Sequence, residues 1–133
     1  MRKAVFVSLI ALMLAVCSLA HAQSKSDQNA VGTWSGTWIG DSKGKFEMTI
    51  TKAPDGKLSA TMTSTPDQQE STTWRSKMVE ANGDKLTINF EDTNGDLDAT
   101  LEGVIDGSSI KGDYSVRANG DQVDAGTFQG TRN

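Results

Sequence analysis

The 133-residue chain has one cysteine, one histidine, one tyrosine and two prolines. The cysteine is Cys17 and the histidine is His21, both within the first 22 residues. Beyond residue 22, therefore, no disulfide forms within the chain, and the domain is expected to hold together by packing. A Ser–His–Asp triad, a cysteine nucleophile and a histidine-based zinc site are excluded there as well. Long apolar runs are also missing after residue 22, so no helix of that part is expected to span a bilayer. Basic charge is scarce. Of 13 Lys and Arg, Arg2 and Lys3 stand at the start, which leaves 11 against 17 Asp and Glu and a net charge of −6. An acidic balance disfavours nucleic acid and anionic lipid as partners.

The start of the chain has its own pattern. Arg2 and Lys3 precede an uncharged run from Ala4 to Ala20, and Ala20-His21-Ala22 supplies an A-x-A cleavage signature. Residues 1–22 are expected to be a signal peptide cut after Ala22, making the protein secreted or periplasmic. The alternative is a membrane anchor, for which the run is short against the ~20 residues of a span. Lipid anchoring at Cys17 fits poorly, because Val16 stands where a small residue is wanted. Residues 23–30, QSKSDQNA, are polar and aperiodic and are expected to be a flexible linker. Residues 31–133 are expected to form one domain.

Turn signals divide that domain. They are 40–44, 54–56, 65–67, Asn82-Gly83, Asn94-Gly95, Asp106-Gly107 and Asn119-Gly120. Asn-Gly and Asp-Gly supply the positive φ angles of tight hairpins. Seven turns separate eight strand-like runs, and the last four lie 12 to 13 residues apart. That rhythm fits a meander. The runs alternate with period two. Phe46, Met48 and Ile50 oppose Glu47, Thr49 and Thr51; Leu86, Ile88 and Phe90 oppose Thr87, Asn89 and Glu91. The same holds for Leu58, Ala60 and Met62, for Leu97, Ala99 and Leu101, and for Ile110, Tyr114 and Val116.

One apolar face per strand needs a cover, and no helix is available to provide it. The predicted architecture is all-β: an eight-stranded antiparallel up-and-down meander closed into a small barrel. Closure also removes both exposed edges. A two-sheet sandwich competes, but its longer crossing connections are absent. Two strands break the alternation, near Val79 and near Gly103. A bulge at each is the expected repair.

The first strand opens Gly32-Thr33-Trp34, and the last reads Gly126-Thr127-Phe128-Gln129-Gly130-Thr131-Arg132. With Asp55-Gly56-Lys57-Leu58 and Asp106-Gly107 through Gly112, these motifs resemble small secreted bacterial proteins with a lipocalin-like (calycin-like) barrel. The resemblance covers residues 31–133. In lipocalins a Trp of the Gly-x-Trp motif closes one barrel end and a late Arg packs across it. The resemblance implies those roles for Trp34 and Arg132, where a guanidinium over an indole gains cation–π energy. The plainer account makes Trp34 a core aromatic and Arg132 a frayed terminus. The chain departs from lipocalins in being shorter and in lacking a helix after the barrel. Avidins also open with Gly-Thr-Trp, but their ligand-contacting set finds no match.

Three chemistries come into question. Acid–base catalysis by carboxylates is disfavoured, because Glu47, Glu91, Asp98, Glu102 and Asp113 are expected on outward faces and the acidic residues of the turn signals in turns. No enzyme is expected. Asp92-Thr93-Asn94-Gly95-Asp96 starts like a calcium loop, but Leu97 and Gly103 stand where Gly and a bidentate Glu belong. No metal and no cofactor are expected. Ligand binding remains. The predicted interior is apolar and contains Met residues, which suits a small hydrophobic ligand, with Trp34, Trp38, Trp74 and Tyr114 as the contact residues. The same side chains can also meet and fill the barrel. In that case the protein is an interaction module or inhibitor, with loops such as 40–44 and 64–73 carried by a solid monomeric scaffold.

Overall fold

The structure is a computed structural model describing residues 27–133; the expected signal peptide 1–22, with Cys17, His21 and Ala22, and residues 23–26 lie outside the described residues. Eight strands follow in chain order: β1 (Gly32–Gly40), β2 (Lys43–Lys52), β3 (Leu58–Pro66), β4 (Thr72–Asn82), β5 (Lys85–Asp92), β6 (Leu97–Asp106), β7 (Ser109–Ala118) and β8 (Asp121–Arg132). Each pairs antiparallel with the next, and β8 returns to β1 to close the barrel. The closing seam runs from Trp34 opposite Arg132 to Gly40 opposite Gly126. The up-and-down barrel expected from period-two alternation is the fold.

Alternation decides what is inside. Trp34, Met48, Ile50, Ile88, Phe90 and Ile110 are the largest fully buried side chains. The predicted inward positions all belong to the core or pack against it. Tight turns follow the Asn-Gly logic most clearly between β7 and β8, where Asn119 (φ 54°) and Gly120 (φ 83°) both adopt positive φ.

The two irregular strands resolve differently. In β4 the register shifts between Ser76 and Met78, so a bulge turns Val79 inward and leaves Met78 exposed. In β6 no shift occurs. Gly103 simply takes an inward position, Ile105 follows it into the core, and Val104 stays outside at 47% exposure. The inward position takes a glycine because a Cβ there would come within 2.9 Å of the Phe128 ring. The second bulge lies instead between β7 and β8, at Val116 and Arg117. The polar run 64–73 is half strand: β3 ends at Pro66, β4 begins at Thr72, and only 67–71 connect them.

The stretch 23–30, expected to be a linker, ends in structure. Residues 27–30 form a helical turn, and Ala30 is fully buried. Three ties hold it. Lys52 pairs with Asp27 at 3.2 Å, the Trp34 indole N–H donates to the Ala30 carbonyl at 3.0 Å, and Arg132 donates to the carbonyls of Asn29 and Val31. The Arg132 guanidinium lies 4.5 Å from the centroid of Trp34. Trp34 and Arg132 thus close this end of the barrel, together with the helical turn. The arginine is a packed residue and the terminus is not frayed.

Candidate functional site

The capped end carries the β2–β3, β4–β5 and β6–β7 turns; the β1–β2, β3–β4, β5–β6 and β7–β8 turns surround the other. A cavity of about 290 Å³ occupies the half beneath that second, open end. Phe46, Met62, Trp74, Leu97, Ala99, Leu101, Val116 and Phe128 supply its apolar wall. Phe46 and Phe128 meet edge to face, with centroids 6.0 Å apart and an interplanar angle of 81°, a favoured arrangement for the aromatic quadrupole. None of the six fully buried large side chains lines the cavity. The barrel is therefore solid in its capped half and hollow in its open half.

Of the four predicted contact residues, the fold brings three together. Trp38, Trp74 and Tyr114 line the cavity. Trp34 does not; it sits in the capped half under Arg132. The reason is distance along β1. Trp34 and Trp38 both point inward but stand four residues apart, and a rise of ~3.3 Å per residue puts about 13 Å of strand between them.

The polar side chains of the wall are organised. Trp38 donates its indole N–H to Ser42 Oγ at 3.1 Å. Ser42 Oγ donates to Asp124 Oδ2 at 2.5 Å, and the Ser42 amide to Oδ1 at 3.3 Å. The Tyr114 hydroxyl donates to the same Oδ1 at 3.0 Å. On the far wall Trp74 donates to Ser64 Oγ at 2.8 Å. Ser42 and Asp124 sit 82 residues apart in sequence, so this network staples the β1–β2 turn to β8.

Neither Ser42 nor Asp124 was singled out from the sequence, yet a signal was available. Counting back by twos from Phe128 puts Gly126 and Asp124 on the inward face. Asp124 is thus an acidic side chain that the alternation itself turns inward. Asp92 is a second. It continues the inward series Leu86, Ile88, Phe90 and is 6% exposed. Its carboxylate accepts the amides of Asp96 and Leu97 at 2.8 and 3.2 Å. The calcium-like segment is thus a hairpin turn capped by its own carboxylate. Among the described residues no three His, Cys, Asp or Glu side chains cluster to hold a metal.

Burial pushes the Tyr114 phenol up to about 12, helped by its hydrogen bond to Asp124 and by the charges of Asp124 and Asp41. A raised phenol pKa favours the folded state while the phenol is neutral in both states. That contribution is complete below the ordinary value of 10.0 and is lost as pH rises toward about 12. Tyr114 is the only tyrosine, so phenolate absorbance reports it alone. The folded protein is expected to titrate near 12 and urea-unfolded protein near 10.0. A folded-state midpoint at the unfolded value would show that the phenol is solvated and free of Asp124.

The chain matches no family model, and no curated protein matches its sequence. Among solved structures it is similar to a redesigned β-barrel, with a TM-score of 0.65 and 14% identity over 81% of this chain and 95% of that one. What this likeness shows is the fold, a small antiparallel barrel.

Proposed function

We propose that the protein is an exported, lipocalin-like barrel that binds a small hydrophobic ligand in its open half. The observation that carries this reading is the cavity itself, apolar over most of its wall and backed by a solid half-barrel. Pre-formed apolar concavities with a few placed polar groups are the usual form of small-molecule sites. The volume of about 290 Å³ equals roughly ten water molecules at ~30 Å³ each, which suits a ligand of about that many heavy atoms. Export rests on the leader pattern of residues 1–22, and binding rather than catalysis rests on the missing His and Cys beyond it. The alternative, a solid scaffold presenting loops, has less to work with. No connection exceeds the five residues of 53–57 and 67–71.

The three tryptophans make the test internal. On titration with 2-phenylethanol, the indole N–H signals of Trp38 and Trp74 should shift while that of Trp34 stays in place. An unmoved spectrum, or movement centred on Trp34, would overturn the reading. Ala99→Phe places a ring in the cavity from a wall position. It should abolish the shifts while stability holds or rises by about 0.5–1 kcal/mol, as cavity filling does.

A further inference from the structure

We infer that this cavity selects a cation, a small organic ammonium on an apolar body, and excludes carboxylates; the inference rests on the cavity being a ligand site. Among the described residues, Asp124 is the sole carboxylate on its wall, and no Lys or Arg lines it. Among the described residues no cation lies within ion-pair distance of Asp124; the three salt bridges join other residues. Its hydrogen-bond donors are the Ser42 amide, the Ser42 hydroxyl and the Tyr114 hydroxyl. These neutral dipoles fix the carboxylate in place but do not cancel its charge. A carboxylate offers about four acceptor sites, so three donors leave one for a ligand.

The surroundings add to that charge. The turns around the open end and the strand ends beside them carry Asp41, Asp67, Glu70, Asp92, Asp96 and Asp121, against Lys43. A half-buried charge beside an apolar wall is screened less than a surface one, and acidic rims raise the local concentration of cations. Trp38 reaches the same corner through Ser42, and Tyr114 touches Asp124 directly. Aromatic side chains at an anionic corner suit an ammonium, which gains cation–π energy as well as the ion pair. A carboxylate brought to the same corner meets like charge and finds no cationic partner.

Three probes of one body decide it: 2-phenylethylammonium, 2-phenylethanol and 3-phenylpropionate, each titrated while the indole signals of Trp38 and Trp74 are followed. The ammonium should bind about tenfold tighter than the alcohol, as a charge-assisted bond does over a neutral one, with the propionate weakest. The preference should shrink as salt is raised. Asp124→Asn should bring the ammonium's affinity down to that of the alcohol measured on the same variant. Propionate binding as tightly as the ammonium, or an unchanged ratio in the Asn variant, would overturn the inference and leave the apolar site standing. Binding of none of the three would overturn both. Should the variant fold poorly, the ratio between probes on the unaltered protein still decides.

Discussion

Trp34→Ala is expected to destabilise the barrel by about 3–5 kcal/mol, the usual cost of truncating a buried Trp. The side chain is fully buried between β2 and β8, opposite Met48 and Arg132. Its loss leaves a void in the half of the barrel that is otherwise solid. It also takes the ring from beneath Arg132 and the donor from the Ala30 carbonyl. The helical turn 27–30 should then lose its seat. Against a total of ~5–15 kcal/mol for a domain of ordinary stability, this is a large fraction. Chemical denaturation reads it as a fall in midpoint. Trp34→Phe keeps most of the ring but orphans the buried carbonyl, at a cost of about 1–2 kcal/mol. A loss below about 1 kcal/mol for the alanine variant would mean that Trp34 does not close this end. In the Phe variant the cavity should still bind 2-phenylethanol, because Trp34 is no part of its wall.

The second large effect is expected at the opposite end, from Gly40→Ala. A Cβ there would lie 2.1 Å from the Ala125 carbonyl oxygen and 2.4 Å from the Tyr114 hydroxyl. Backbone cannot yield without moving the β1–β8 seam, so the substitution acts as overpacking and costs about 1–3 kcal/mol. It also pushes the phenol away from Asp124. The phenolate titration should therefore fall from about 12 toward the ordinary 10.0. Two readouts, a denaturation midpoint and a phenol titration, separate strain at the seam from damage to the network. An unchanged titration with lower stability would show that Tyr114 relaxes elsewhere and still meets Asp124. Gly44 plays a similar part for Trp38, since a Cβ there would stand 2.6 Å from the indole. Small residues at both edges of the first turn thus let two aromatic rings approach the mouth.

Much of the fold was legible because strands have a strict period of two. Leu86, Ile88 and Phe90 reveal their inward face without any knowledge of their neighbours. Closure followed from counting: eight one-faced strands, short turns and nothing to cover them. The same periodicity continued through Asp124 and Asp92 would have placed both inside. Neither stands out by hydropathy, because a carboxylate is ordinarily outside. The bulge in β4 was legible as a break in alternation at Val79. The break near Gly103 was misleading, since a glycine on the inward face carries no hydropathy signal and makes Val104 look like the next core residue.

What the sequence by itself determined is the all-β meander, the inward faces and the place of the single histidine and single cysteine within the first 22 residues. Those properties are local or compositional, so no long-range contact is needed to read them. Only the tertiary structure decided which end is capped, which half is hollow and which tryptophans share a wall. Those depend on register across the β1–β8 seam, where residues about a hundred positions apart meet. Arg132 over Trp34 fills one end, while Ser42, Tyr114 and Asp124 tie together the rim of the other. A hollow is the difference between the volume a closed backbone encloses and the volume its side chains fill, and that difference exists only once the barrel has closed.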